Sequence, residues 1–378
     1  MRDNMSSGQK IKTILTMAFA YVGVLVGAGF ASGQEILQYF VSHGTWGFVG
    51  AIFALIFFSL TGLILLQLGA KYDANSHEDV LKRISPKPVH KFLDYSIIFT
   101  LALMGVVMIA GAGSNLNQQF GLPIWMGSVL CAILIVVVSF LDTSKVIEII
   151  SLVTPFLLVF VLGAAIYAIF NAQGEYTELA KVAEGAQSAT PHWLLSAFNY
   201  MAMNLMMGAS MAMVMGGDED KPKLAGFGGL LGGALIGIMV MLATVALTLT
   251  INSVIDDPMP LLGLVNLVHP VAGTVMSIVL YLMIFNTGLS MFYSFTSRII
   301  PDGDDRKFSI VLIISVVVAF IISFVGFKTL LSIFYPIIGY VGFILIALLI
   351  MTWINNVRRR LKIARDESND LSFKDTKV

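Results

Sequence analysis

The stretch Val26-Gly27-Ala28-Gly29-Phe30-Ala31-Ser32-Gly33-Gln34-Glu35 sets three glycines beside a hydroxyl, an amide and a carboxylate, inside an apolar run that extends from about 13 to 40. A carboxylate in such surroundings holds a cation, an amine or a transferable proton. Glycine costs a helix about 1 kcal/mol relative to alanine, so a cluster at mid-length weakens the run where a membrane helix should be strongest. Ser32-x-x-Glu35 has the spacing of a capping box, which restarts a helix. These residues predict one half-helix ending near Gly27 and a second starting near Ser32, with bare carbonyls closing the first and bare N–H groups opening the second. Non-helical backbone at membrane depth is tolerated only where protein or a water-filled cavity covers it. Close packing by small residues explains Gly23 and Gly27. It does not explain Gln34 and Glu35, because a charge at mid-bilayer costs about 2.5–3.5 kcal/mol on insertion scales. Gly27, Ala28, Gly29, Phe30, Ala31, Ser32, Gly33, Gln34 and Glu35 are therefore the first candidate solute-binding set.

A second set lies further along. Counting the same distance into the run that starts at 193 reaches Met207, next to Gly208-Ala209-Ser210, with Asn199 and Asn204 nearby. A matching break is expected there, contributed by Asn199, Asn204, Gly208 and Ser210. The methionine-rich text around it fits adaptable packing or the lining of a pocket for an apolar group. In the run 271–297, Asn286, Thr287 and Ser290 are candidates for holding a coupling ion, together with Glu35. Thr287, Ser290, Ser294 and Ser297 share one helical face, for which close packing is preferred over an ion path.

Other chemistry is poorly represented. The single cysteine, Cys131, excludes an intrachain disulfide, and the five histidines share no ligand spacing, so no metal site is assigned. No phosphate-binding loop occurs, which argues against a self-powered pump. No nucleophile–base pair lies in the apolar runs, and no enzyme activity or cofactor is expected beyond Na+ or H+ as a coupling ion.

The elements that must position these residues follow from composition. Of 378 residues, 57% are hydrophobic and 12% charged, against roughly 45–50% and about 25% in soluble proteins. Mean hydropathy is +0.87. The class is all-α integral membrane protein. Ten stretches of 19 to 28 residues, at about 13–40, 46–70, 92–116, 123–141, 147–170, 193–216, 225–252, 271–297, 308–327 and 329–354, suit helices crossing the hydrocarbon.

With a cytoplasmic N-terminus, 21 of the 23 Lys and Arg residues fall in inside segments, and only Lys181 and Lys328 lie outside. This positive-inside split places both termini in the cytoplasm. Equal charge totals, 23 of each sign, leave no field to recruit nucleic acid. The lipid bilayer, with Arg358, Arg359, Arg360, Lys362 and Arg365 as a topology anchor, and a small-molecule substrate are the partners expected. Residues 355–378 are expected to be a cytoplasmic tail, solvated and disordered towards the end.

Five spans before the outside segment 171–192 and five after it give repeats of opposite orientation, 13–170 and 193–354, within one transporter domain, 1–378. The segment Pro258 to Val268 is apolar but too short to span, and is expected to lie as a helix across the outer mouth. Inverted repeats with matched interruptions point to a secondary transporter. The repeated glycines Gly226, Gly228, Gly229, Gly232, Gly233 and Gly237 are expected to be helix-packing positions. The polar run Asn115, Asn117, Gln118, Gln119 should meet water outside.

Residues 20–47 resemble the first helix of the LeuT-fold amino acid/polyamine/organocation (APC) transporters, and Val26 to Glu35 is most similar to the YkvI-like bacterial membrane proteins. The resemblance implies broken helices 1 and 6, a bacterial plasma-membrane location, and backbone contacts to substrate from Gly27–Ser32 and around Gly208. Sodium-coupled members place adjacent hydroxyls on the eighth helix, where this chain has Asn286-Thr287 and Ser290. Proton-coupled members place a lysine midway in the fifth, where this chain has Lys145 and Glu148 only at its start. The expected function is secondary active transport of a small amino acid or related amine, coupled to Na+ or H+. The alternative is a ligand-sensing membrane subunit of the same fold that does not translocate.

Overall fold

In the computed structural model, residues 5–74, 77–140, 154–300 and 305–375 are described, and among them there is no strand. Lys145 and Glu148 lie outside this set. The first predicted span is three helices, α1 (Ser7–Leu25), α2 (Ala28–Ser32) and α3 (Gln34–Tyr39). It is followed by α4 (Thr45–Tyr72), α5 (His77–Ile84), α6 (Lys87–Phe120), α7 (Ile124–Ser139) and α8 (Thr154–Phe170). The segment between the halves carries α9 (Tyr176–Ala183), and the second half contains α10 (Trp193–Gly217), α11 (Pro222–Leu249) and the single turn α12 (Ile251–Val254). It ends with α13 (Pro260–Val268), α14 (Pro270–Ile299), α15 (Asp305–Ser323) and α16 (Phe327–Asp375).

Each of the ten predicted spans has a helical counterpart among the described residues, and six of the described helices are individually long and apolar enough to cross a membrane. Local chemistry sets their ends. Ser6 and Gln9 form a reciprocal capping box on α1. Prolines occupy the first turns of α6, α11, α13 and α14, where the missing N–H is no loss. Gly121 closes α6 in the left-handed conformation.

Helices five spans apart pack together, α4 on α11, α6 on α14 and α1 on α10. The glycine face of α11 brings backbones into contact: a Cβ on Gly229 would overlap the Gly62 carbonyl, and one on Gly233 would overlap Phe58. Packing, as expected, is the role of this stripe. The predicted helix across the outer mouth is α13, whose Pro260, Leu261, Leu262, Leu264 and Val265 are buried.

Three expectations need correction. α10 is continuous from Trp193 to Gly217, so the predicted break in the sixth span is absent. Gly208 instead lets α1 approach, since a Cβ there would overlap Leu25 and crowd Val24. One glycine among methionines and alanines, with no proline, leaves helical bonding intact. Secondly, α16 runs on to Asp375 where a disordered tail was expected; past Gly342 it meets no glycine or proline. Thirdly, the polar run ending α6 is bonded to protein. Asn115 Nδ2 donates to Ser277 O at 2.9 Å, and Asn115 Oδ1 accepts from Ser277 Oγ at 2.6 Å. Gln118 exchanges bonds with Met259, accepting from its N at 2.8 Å and donating to its O at 3.0 Å. The run fastens the segment before α13 to α6.

Candidate solute-binding site

The break in the first span has two interruptions around one helical turn, where a single gap from Gly27 to Ser32 was expected. Gly27 is extended (φ −99°, ψ −167°) and Gly33 is left-handed (φ +80°). Val26 N reaches Val22 O at 2.8 Å and Gly27 N turns back to Leu25 O at 3.1 Å. The carbonyls of Gly23, Val24 and Val26 are left without a backbone donor among the described residues. Ser32 Oγ donates to Gly29 O at 2.7 Å and accepts from Gln34 N at 3.1 Å. Ser32 thus takes up the first N–H of α3, although Gly33 and not Ser32 is its N-cap. Glu35 does not complete the predicted box.

Glu35 folds back across the turn instead. Its carboxylate lies against Gly29, in the space a side chain at that position would need. The hydroxyls of Tyr200 on α10 and Tyr335 on α16 are turned towards it. Tyr335 Oη points at the carboxylate without completing a tight hydrogen bond. Glu35 is 3% exposed, and among the described residues no Lys, Arg or His forms an ion pair with it.

A cavity of about 530 Å³ opens from this point. Gly27, Ala28, Gly29 and Glu35 lie on its wall with Tyr335, and so do Asn204 and Ser210 of α10. α14 contributes Asn286, Thr287, Ser290 and Ser294. Most of the hydroxyl face of α14 therefore lines the cavity rather than packing, as was preferred; Ser297 instead donates to Tyr293 O at 2.9 Å. The apolar wall is rich in methionine: Met206, Met207 and Met211 from α10, Met104 and Met108 from α6, Met283 and Met291 from α14. The far end carries Arg298, whose Nη1 is 3.5 Å from Asp94 Oδ1 of α6.

The cavity reaches one side only. Its lining comes from the first part of α6 and the last parts of α10 and α14, which all lie towards the face where α1 starts. The opposite side is closed. Gln38 Nε2 donates to Lys328 O at 3.1 Å. Tyr39 Oη donates to Asn199 Oδ1 at 3.0 Å, and Asn199 Nδ2 to Pro336 O at 3.0 Å. α13 lies on Gly33.

Of the predicted site residues, Phe30, Ala31, Ser32, Gly33, Gln34 and Asn199 are buried in this closed side, away from the cavity wall. Gly208 is a packing position. Tyr200, Tyr335, Arg298 and Asp94 were missed. Tyr335 had a sequence signal, a phenol next to the proline inside an apolar run. Arg298 and Asp94 are 204 positions apart, and only the packing of α6 on α14 brings them together.

No known family model matches the chain. It is 25% identical over 340 residues to the uncharacterized membrane protein YkvI of Bacillus subtilis (strain 168), covering 88% of this chain and 94% of the relative. Among solved structures it resembles MhsT in complex with L-phenylalanine, with a TM-score of 0.56, 17% identity and 87% of both chains covered. Its homologues are YkvI-like membrane proteins, and its fold is the LeuT fold. A further likeness is to the inward-facing conformation of Mhp1, with a TM-score of 0.52, 12% identity, and coverage of 87% of this chain and 73% of the other. The sequence-level resemblance and the all-α membrane class therefore hold for this YkvI relative, apart from the unbroken sixth helix.

Proposed function

We propose that the chain is a secondary active transporter, moving a small amino acid or related amine across a bacterial plasma membrane by alternating access. The single observation that carries this reading is the one-sided cavity. It runs from the broken first span to one face of the bundle, while hydrogen bonds and α13 seal the other face. With both termini cytoplasmic, as the charge split indicates, the open face is cytoplasmic and the arrangement is inward-facing. The LeuT fold supports the reading, since interrupted helices at a repeat interface are where such folds bind solute. Gly27, Ala28, Gly29, Glu35, Asn204 and Ser210 are the substrate-contacting residues in this reading.

Coupling is to Na+ or H+. Glu35 can exchange a proton or hold a cation, and Asn286, Thr287 and Ser290 offer neutral oxygens across the cavity from the bare carbonyls of α1. Uptake into proteoliposomes, driven separately by a sodium and a proton gradient, tests the proposal. Accumulation under one gradient is expected, and its loss on Glu35→Gln. An absence of uptake or exchange for every amino acid and amine, despite ligand binding, would sink transport and leave a sensing role.

A further inference from the structure

We propose that the solute held in this cavity is an organic cation with an apolar body and no carboxylate. The binding claim stands on the cavity alone; only the claim that the solute crosses rests on the transport reading above.

The deep end of the cavity is built to receive hydrogen-bond donors. Its one acidic side chain is Glu35, which has no cationic partner among the described residues. Gly23 and Val24 at the C-terminal end of α1, and Val26 just after it, line the same space with carbonyls that have no backbone donor among the described residues, and a helix end of this kind carries partial negative charge. Asn286 Oδ1, across the cavity, is buried without a hydrogen-bond partner. An ammonium supplies up to three N–H donors and the compensating charge. The N–H groups that open the short helix α2 do not call for a second anion, because the Glu35 carboxylate already lies against Gly29.

An amino acid fits this arrangement poorly. Its carboxylate is bonded directly to the carbon bearing its ammonium, so seating the ammonium on Glu35 brings two negative groups together in a poorly solvated space. Like charges a few ångströms apart repel strongly where water does not screen them. Among the described residues the only cation on the wall is Arg298, at the far end and already facing Asp94 at 3.5 Å. The rest of the wall suits a hydrocarbon body, because methionine thioethers are apolar, polarizable and able to repack around different shapes.

Matched pairs test this: isopentylamine against leucine, and phenethylamine against phenylalanine, scored by thermal melting of the full chain in lipid nanodiscs. The amines should raise Tm saturably, while each amino acid at the same concentration leaves it unchanged. Glu35→Gln should weaken amine affinity by about tenfold or more, the usual cost of losing a charged hydrogen bond, and Glu35→Asp should recover part of it. Met207→Gln with Met291→Gln should weaken phenethylamine more than methylamine, a second readout should the Glu35 variants unfold. Amino acids binding as tightly as their amines, no binding by either, or unchanged affinity in Glu35→Gln would each overturn the proposal. Proteoliposome uptake separates the two readings. Amino acid uptake without amine uptake keeps transport and sinks this ligand class; amine binding without uptake or exchange keeps the class and sinks transport.

Discussion

Gly33 and Leu261 meet with no room for a side chain between them. A Cβ on Gly33 would lie 2.7 Å from Leu261 N and 2.7 Å from its Cγ, and Gly33 is left-handed at φ +80°. The second interruption of the first span is thus also the seat on which α13 rests. Gly33→Ala should cost roughly 1–2 kcal/mol from backbone conformation alone, and further because a Leu261 backbone atom must move. The seal over the closed face should loosen. A cysteine introduced as Ile36→Cys, in a Cys131→Ser background, should then react faster with an impermeant thiol reagent from that face. Equal labelling rates with glycine and alanine at 33 would show that α13 is not seated there.

The Glu35 carboxylate against Gly29 yields a second expectation. A methyl at Gly29 collides with the carboxylate and stands 2.8 Å from Tyr335 Oη, whereas one at Gly27 meets nothing within 4 Å. Gly29→Ala should displace Glu35 and lower solute affinity by about tenfold or more, in line with a lost charged hydrogen bond. Gly27→Ala should leave Tm close to that of the parent. Melting curves of both variants, with ligand titrations of Gly29→Ala, check this; a parental affinity in Gly29→Ala would place the solute elsewhere.

The sequence made this region legible because its signal is local. Glycines and a carboxylate in an apolar run are a contradiction that only a break or a cavity resolves, and both are found. The glycine face of α11 was legible for the same reason, since small residues at helical spacing allow backbones to touch. The sixth span failed because its break was placed by symmetry with the first, while helix continuity follows local propensity. Met207-Gly208-Ala209 contains too little to interrupt hydrogen bonding. The α14 hydroxyls were assigned to packing because a polar stripe does not reveal whether a helix or a cavity faces it. Tyr200 was missed because a tyrosine in an apolar run has the same appearance whether it anchors, packs or faces a carboxylate, and Tyr335 because the proline beside it marks an irregularity without telling what the phenol faces.

Gln34 gives a third prediction. Its side chain is fully buried, and both Nε2 and Oε1 lack partners. An unsatisfied buried polar group costs about 1–3 kcal/mol, so the sealed arrangement carries a penalty that hydration on opening would relieve. Gln34→Met, similar in shape and free of that demand, should raise Tm and slow turnover by favouring the closed side. A lower Tm together with faster labelling of the Ile36→Cys reporter would mean that Gln34 has a partner in the sealed state.

The outer seal should also respond to pH through Asp257. This residue lies in the loop between α12 and α13, half-buried, and Gln118 Nε2 donates to its Oδ2 at 3.3 Å. Burial raises its pKa from 3.8 to about 6, against the opposing pull of the Lys328 ammonium. In the unfolded chain it titrates near 3.9. Between roughly pH 4 and 6 the folded form therefore binds more protons than the unfolded one, so this residue's contribution to stability falls as pH rises through that window. His43, in the turn between the first span and α4, works in the opposite sense. Burial, with His192 beside it, lowers its pKa from 6.5 to about 4, so stability is lost as pH falls below 6.5. The two effects mask each other in the parent, and single variants separate them. Relative to the parent, Asp257→Asn should stay close in Tm at pH 4.5, where the parent's folded carboxyl is largely protonated, and gain Tm by pH 7, and His43→Gln should gain Tm at the acid end. Parallel Tm–pH curves for parent and Asp257→Asn would show that the carboxyl is solvated rather than part of the seal.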